Sequence, residues 1–324
     1  TFIMFCLMLV VSLLNPMTGD MYLYLRTLRD ISSLKFVETL SEVGWEPGFT
    51  MYQWVISRIS TSDEIFIIIT VLILWCLILK ALRKIINIKD IPLLIFGYMS
   101  FFYFYDFFTN VLRQGFAVVF VIFLIIYLER NDYKKAFFYV LAGLVFHVSS
   151  IISLTLFIVK KFKISVKNLV YVYATASILM ITGINSRIMS WIIPIFGGRI
   201  GNSLIKYTSD SIVNRYGAGN RIDFLLFTTV WIAWGLWFLK HKLKTDQFYE
   251  WLIKSYLTLG SVYALFGFIA FSDRLAAYAW FLIPLLLFYP VIKMKSKYRI
   301  FGVLFCMMIC ILMFFFFEVN ILYS

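Results

Sequence analysis

Long apolar runs alternate with short basic clusters along this chain, and that alternation limits what it can fold into more than any other feature. The runs occupy 1–14, 64–82, 91–108, 112–128, 136–159, 168–186, 223–239, 249–271, 275–292 and 300–317. A bilayer core about 30 Å thick takes about 20 residues of helix per crossing. The 324 residues are 62% hydrophobic and 15% charged, where a soluble domain carries about a quarter charged residues. A mean hydropathy of +0.89 excludes an ordinary soluble domain. The expectation is an all-α, polytopic integral membrane protein with about ten transmembrane or re-entrant helices. It forms one membrane-embedded domain over 1–324, with two long outward-facing loops, 15–63 and 187–222.

The net charge of +13 sits in short groups beside apolar segments, which is a membrane-topology pattern and not a nucleic-acid surface. Cys6, Cys76, Cys306 and Cys310 fall inside apolar runs and read as reduced packing residues. The opening run lacks a basic leader and a small-residue cleavage site. It is expected to be a membrane helix that begins upstream and not a removed signal peptide.

Lysine and arginine are retained on the cytoplasmic side, which assigns to that side the clusters around Lys80–Lys89, Arg130–Lys135, Lys160–Lys167, Lys240–Lys254 and Lys293–Arg299. One conflict follows: 129–135 and 160–167 are both basic, yet the 24-residue run between them can cross once. A re-entrant pair of half-helices, about 16 Å each, restores parity and places the bend at Phe146-His-Val-Ser-Ser150. A straight helix with a basic loop outside is the alternative. The cytoplasmic clusters hold 16 of the 18 lysines but only three of the 12 arginines. Nine arginines therefore lie outward, where a planar five-donor fork suits phosphate oxygens. Pairing with outward acids such as Asp20, Glu46 and Asp273 is the competing account.

Arg113 opens an apolar helix, where an ionisable group needs a partner, a cavity or a snorkelling path. Arg274 sits in a similar position beside Asp273. Arg215 and Arg221 flank the flexible stretch Tyr216-Gly-Ala-Gly-Asn220. His147 is one of two histidines, mid-run, and reads either as a packed residue or as a proton carrier. With only His241 besides, a metal site is not expected. Ser41-Glu-Val-Gly-Trp-Glu-Pro-Gly48 reads as a shaped turn in which Glu46 acts as a base, a cap or an ion-pair partner. The aromatic cluster from Tyr98 to Phe108 reads as a membrane-interface belt.

These residues resemble the EpsG/Wzy-type polysaccharide polymerases of bacteria. The resemblance rests on Asp20-Met-Tyr22, Trp45-Glu-Pro-Gly48, Asn110-Val-Leu-Arg-Gln-Gly-Phe-Ala117, Phe146-His-Val-Ser-Ser150 and Asp273-Arg-Leu-Ala-Ala-Tyr278, which span most of the chain. It implies an extracytoplasmic glycosyltransferase in the bacterial inner membrane that joins undecaprenyl-diphosphate-linked oligosaccharide repeats and releases undecaprenyl diphosphate. The implied partners are the lipid-linked donor and acceptor, membrane lipid and a chain-length regulator; no nucleic acid and no cofactor enter.

That transfer needs a cation for the leaving diphosphate and a base for the attacking hydroxyl. Arg113 and Arg274 are expected at the diphosphate, with Arg215 and Arg221 as helpers. His147 and Glu46 compete as the base; Gln114, Asp20 and Tyr278 are expected at other substrate atoms. Competing functions are a flippase for the same lipid-linked glycan, for which paired broken halves are missing, and an O-antigen ligase, which differs only in acceptor.

Overall fold

The computed structural model describes residues 1–192 and 219–322. Arg199 and Arg215 lie outside the described residues. Among those described, the regular structure is entirely helical. The chain divides into two compact units, Thr1–Ile151 with Val291–Ser324, and Ile152–Pro290.

Unit 1 contains α1 (Phe2–Leu14), α2 (Gly19–Asp30), α3 (Phe36–Glu42), α4 (Pro47–Ser57), α5 (Asp63–Leu82), α6 (Ile91–Met99), α7 (Phe102–Thr109), α8 (Leu112–Glu129) and α9 (Tyr133–Phe146). Unit 2 contains α10 (Thr155–Lys161), α11 (Val166–Ile181), α12 (Ile184–Ile192), α13 (Ile222–His241), α14 (Gln247–Phe266), α15 (Ser272–Trp280) and most of α16 (Ile283–Ile292). The chain then returns to unit 1 as α17 (Ser296–Leu322).

Every apolar run is largely helical, and the expected count of about ten transmembrane or re-entrant helices is not reached by long straight spans alone. Among the described residues, five segments are long and apolar enough to cross a membrane: Asp63–Leu82, Leu112–Glu129, Ile222–His241, Ser272–Ile292 and Lys297–Phe316. Two bent pairs, Phe2–Leu14 with Gly19–Ser33 and Ile88–Met99 with Tyr103–Thr109, raise the number to seven if each is one span. The run 136–159 is not a straight helix. It breaks at His147, whose backbone is extended (φ −157°, ψ 122°), and resumes as a 3-10 turn over Val148–Leu154. Ser149 and Ser150 follow the break, and serine hydroxyls compete for backbone partners that a helix would otherwise use.

The stretch 15–63 departs from an open loop, because α2, α3 and α4 fill most of it. α2 buries Met21, Tyr24, Leu25 and Leu28, a helical repeat, and packs on α4. The aromatic cluster is also not an exposed belt. Tyr98, Phe104, Phe107 and Phe108 are each at most 2% exposed. α7 packs on α8, α1 and α6, and Trp75 of α5 meets Phe104 and Phe108 edge-on at 6.5 Å. These rings are core.

α8 is the central post of unit 1, buried on nearly every side against α9, α7 and α5. α5 buries Phe66, Thr70, Leu74 and Ile78 and exposes Ile65, Ile68, Leu72 and Ile73, the all-round apolar character of a span. In unit 2, α14 is the central helix, packed by α11, α13 and α15. There the Asn185 and Asn220 amides bond reciprocally at 2.9 and 3.0 Å, and Trp280 Nε1 donates to Thr228 Oγ1 at 2.8 Å.

Candidate functional site

Two glycines set the geometry of the site in unit 1. A Cβ on Gly48 would lie 2.7 Å from the Val145 carbonyl oxygen, so only glycine lets the first turn of α4 rest on the last turn of α9. A Cβ on Gly115 would lie 2.6 Å from the Phe107 carbonyl oxygen, so the first turn of α8 sits against α7 in the same way. These approaches bring the start of α4, the start of α8 and the break after α9 together.

Glu46 precedes Pro47 at the start of α4, but its carboxylate does not cap that helix. It bridges the other two elements. Oε2 accepts from Arg113 Nη1 at 2.8 Å. Oε1 meets His147 Nδ1 at 3.0 Å and accepts from the Val148 N–H at 3.0 Å. The Val148 N–H faces the carboxylate because the helix has already ended at His147. The Glu46, Arg113 and His147 side chains keep 15%, 18% and 15% of their surface accessible, so the cluster is largely but not wholly enclosed.

Arg113 lies in the first turn of α8, where the positive helix end disfavours a cation. Its surroundings offset that cost. Beyond Glu46, Nε donates to the Tyr24 hydroxyl at 3.1 Å, and the guanidinium lies 5.8 and 5.6 Å from the Tyr24 and Trp45 ring centroids. Tyr24 is fixed in turn, with its carbonyl accepting from buried Gln53 at 2.9 Å and its ring meeting Trp45 edge-on at 5.0 Å. The arginine is therefore paired, and it does not snorkel.

Burial alone would raise the Glu46 carboxyl. The hydrogen bond and charge of His147, the charge of Arg113 and the Val148 N–H outweigh it and hold the group at about 2. A carboxylate held that low is ionised at neutral pH and accepts a proton poorly. It can orient an imidazole through Nδ1, which leaves proton exchange to Nε2 of the same ring.

Of the residues expected at the site, Arg113, Glu46 and His147 come together. Asp20 is near in the chain's path: its backbone N–H donates to Asn110 Oδ1 at 3.0 Å, which joins the first motif to the third. Gln114 is 2% exposed, next to Arg113 in α8. Arg274 lies in unit 2 with its guanidinium 4.6 Å from the Phe271 ring centroid.

Two more of the expected residues lie in unit 2. Arg221 directs two N–H groups to Asp223, at 2.9 and 2.5 Å, so its fork is occupied by a carboxylate two residues away. Tyr278 is 1% exposed in the core of unit 2, where it offers no surface to a substrate. Local pairing, the competing account for the arginines expected to lie outward, holds at several positions. Arg26 pairs with Asp30, Arg29 with Asp63, and Arg58 bonds the Ile31, Ser32 and Leu34 carbonyls.

Sequence reasoning missed Tyr24 and the Val148 N–H. Tyr24 carried a signal, since it stands four residues after Asp20 and so on the same side of α2. The N–H carried none, because its availability depends on where α9 stops.

No curated protein and no solved structure matches the chain. The family model described as the EpsG family matches residues 1–322, and with essentially its whole length covered the chain belongs to the EpsG family.

Proposed function

We propose that the chain is a membrane glycosyltransferase of the bacterial inner membrane, joining undecaprenyl-diphosphate-linked oligosaccharide repeats on the extracytoplasmic side. Family membership supports a polysaccharide-polymerase type of membrane protein. The observation that carries the chemistry is Glu46 holding Arg113 and His147 on its two oxygens.

In the proposed step an acceptor hydroxyl oxygen attacks the anomeric carbon of the donor glycan. The carbon–oxygen bond to the diphosphate breaks, and undecaprenyl diphosphate leaves with the electron pair. His147 Nε2 takes the hydroxyl proton, while Glu46 orients the ring through Nδ1 and stays ionised. Arg113 supplies the cation beside the departing diphosphate. Glu46 is thus the positioning residue and His147 the base. Asp20 and Gln114 lie on the elements that hold Arg113 and contribute through placement. A chain-length regulator is a further proposed partner.

Purified protein incubated with lipid-linked repeats alone tests the reading. Polymer of increasing length is expected. Product that appears only when a lipid core acceptor is added would make the protein a ligase, and no product would favour transport.

A further inference from the structure

The opposite end of α9 carries a second organised feature that the proposed reaction does not use. α5 runs out into Arg83 and Lys84, α8 into Arg130, and α9 opens with Tyr133, Lys134 and Lys135. Arg130 Nη2 donates to the Lys84 carbonyl at 2.7 Å and ties the ends of α5 and α8 together. Lys84 Nζ and Lys135 Nζ stand 5.5 and 5.3 Å from the centroid of the Tyr127 ring. That ring belongs to a stack in which Tyr139 lies 5.4 Å from Tyr127, at 8°, and 4.7 Å from Phe123, at 11°. Cations from the ends of α5 and α9 thus flank an aromatic stack, with Arg130 of α8 bonded to the Lys84 carbonyl beside them.

The local charge is unbalanced. Five cations at 83–84 and 130–135 stand against Glu129 and Asp132, and Asp132 pairs with Lys135 at 2.7 Å. Directly beyond Lys134, α9 presents Phe137, Phe138, Leu141 and Val145, exposed by 54%, 63%, 45% and 38% on one helical stripe. From Lys134 to Val145 the helix rises about 16 Å, close to one leaflet of a core about 30 Å thick. A cationic cluster at the head of an apolar stripe one leaflet deep matches a glycerophospholipid in shape and polarity. The excess positive charge selects an anionic headgroup over a zwitterionic one, whose own ammonium would be repelled.

We propose that the ends of α5, α8 and α9 bind an anionic glycerophospholipid, with the headgroup phosphate at Lys84, Arg130 and Lys134 and an acyl chain along Phe138, Leu141 and Val145. The site lies about 20 Å along α9 from His147, so it stands or falls independently of the transfer reaction.

The test is native mass spectrometry of the full chain released from detergent with phosphatidylglycerol, phosphatidylcholine or glycerophosphoglycerol, the headgroup without chains. Phosphatidylglycerol is expected to be retained over phosphatidylcholine and to be lost as ionic strength rises. Lys84→Gln with Lys134→Gln should weaken phosphatidylglycerol binding about 25-fold, at about fivefold for each cation removed. Exposed Lys134→Gln alone serves if the double variant fails to fold, with about a fivefold loss. Equal retention of the two lipids, or unchanged binding by Lys134→Gln, would overturn the proposal. So would binding of glycerophosphoglycerol as tight as that of the whole lipid, since the apolar stripe would then contribute nothing.

Discussion

The Glu46 carboxylate and the His147 imidazole stand 101 residues apart in sequence and meet at 3.0 Å. The same carboxylate takes Arg113 on its other oxygen, so the three side chains form one connected cluster. Glu46 occupies the position before α4 from which a side chain often caps its own helix, a contribution of about 1 kcal/mol. It makes no such bond. Its hydrogen-bonding capacity goes instead to the start of α8 and the break after α9, which is the arrangement expected of a group that orders other side chains.

Two candidates for the base differ in what they predict for rate against pH. A carboxylate held at about 2 would give turnover that is flat from about pH 4 upward. An imidazole base gives a rate that rises with pH as the ring loses its proton. Polymer formation measured from pH 4 to 9 should show the rise, and His147→Asn should lower turnover by about 10²–10⁴-fold while donor binding persists. A flat wild-type profile would remove His147 from the chemistry.

Stability should carry the signature of Glu46 as well. The group sits at about 2 in the fold against an ordinary value of 4.5. A depressed carboxyl contributes stability that is fully present above the unfolded value and is lost as pH falls through the folded one. Thermal unfolding in detergent should therefore show an acid-side loss between pH 4.5 and about 2, part of which is absent in Glu46→Gln, by at most about 3 kcal/mol. Identical acid slopes in the two proteins would show that the carboxylate is not held as described.

Arg113→Ala is expected to leave the protein folded in the membrane but to yield single repeats in place of long chains. Arg113→Lys should rescue little, because an ammonium cannot reach the Tyr24 hydroxyl and Glu46 with one planar fork. In unfolding measurements Arg113→Gln and Glu46→Gln should couple by about 1–3 kcal/mol, since removing both avoids leaving one charge uncompensated. Normal chain-length ladders from Arg113→Ala would exclude it from the mechanism.

The helices were legible in the sequence because a span must be apolar all round, and that signal survives without tertiary context. Each of the ten runs became largely helix, and the stretch from Phe146 to Ser150 holds a break. What composition could not supply was partnership. Phe104 and Phe108 look the same in sequence whether they meet lipid or Trp75. Arg221 and Arg113 are both guanidinium groups near apolar helices, yet one pairs with its neighbour Asp223 and the other reaches Glu46 across 67 residues. The short helices α2 to α4 escaped notice because their buried faces are brief and polar residues interrupt them. The site was visible only as motifs, and the contact that makes it a unit depends on close backbone approaches.

One of those approaches gives the last prediction. Gly48→Ala adds a single methyl group, yet that carbon would lie 2.7 Å from the Val145 carbonyl oxygen and 2.9 Å from Val145 Cγ2. The carbonyl cannot yield without unwinding the last turn of α9, so the start of α4 must move away instead. Overpacking of this kind costs about 1–3 kcal/mol, and a shift of about 1 Å at a positioned group can lower turnover about 100-fold. Gly44→Ala, in the same connection but with nothing near its Cβ, is the matched control and should be close to neutral. Chain-length ladders and unfolding temperatures for the two variants decide the matter: equal activity would mean that the contact between α4 and α9 does not hold Glu46 in place.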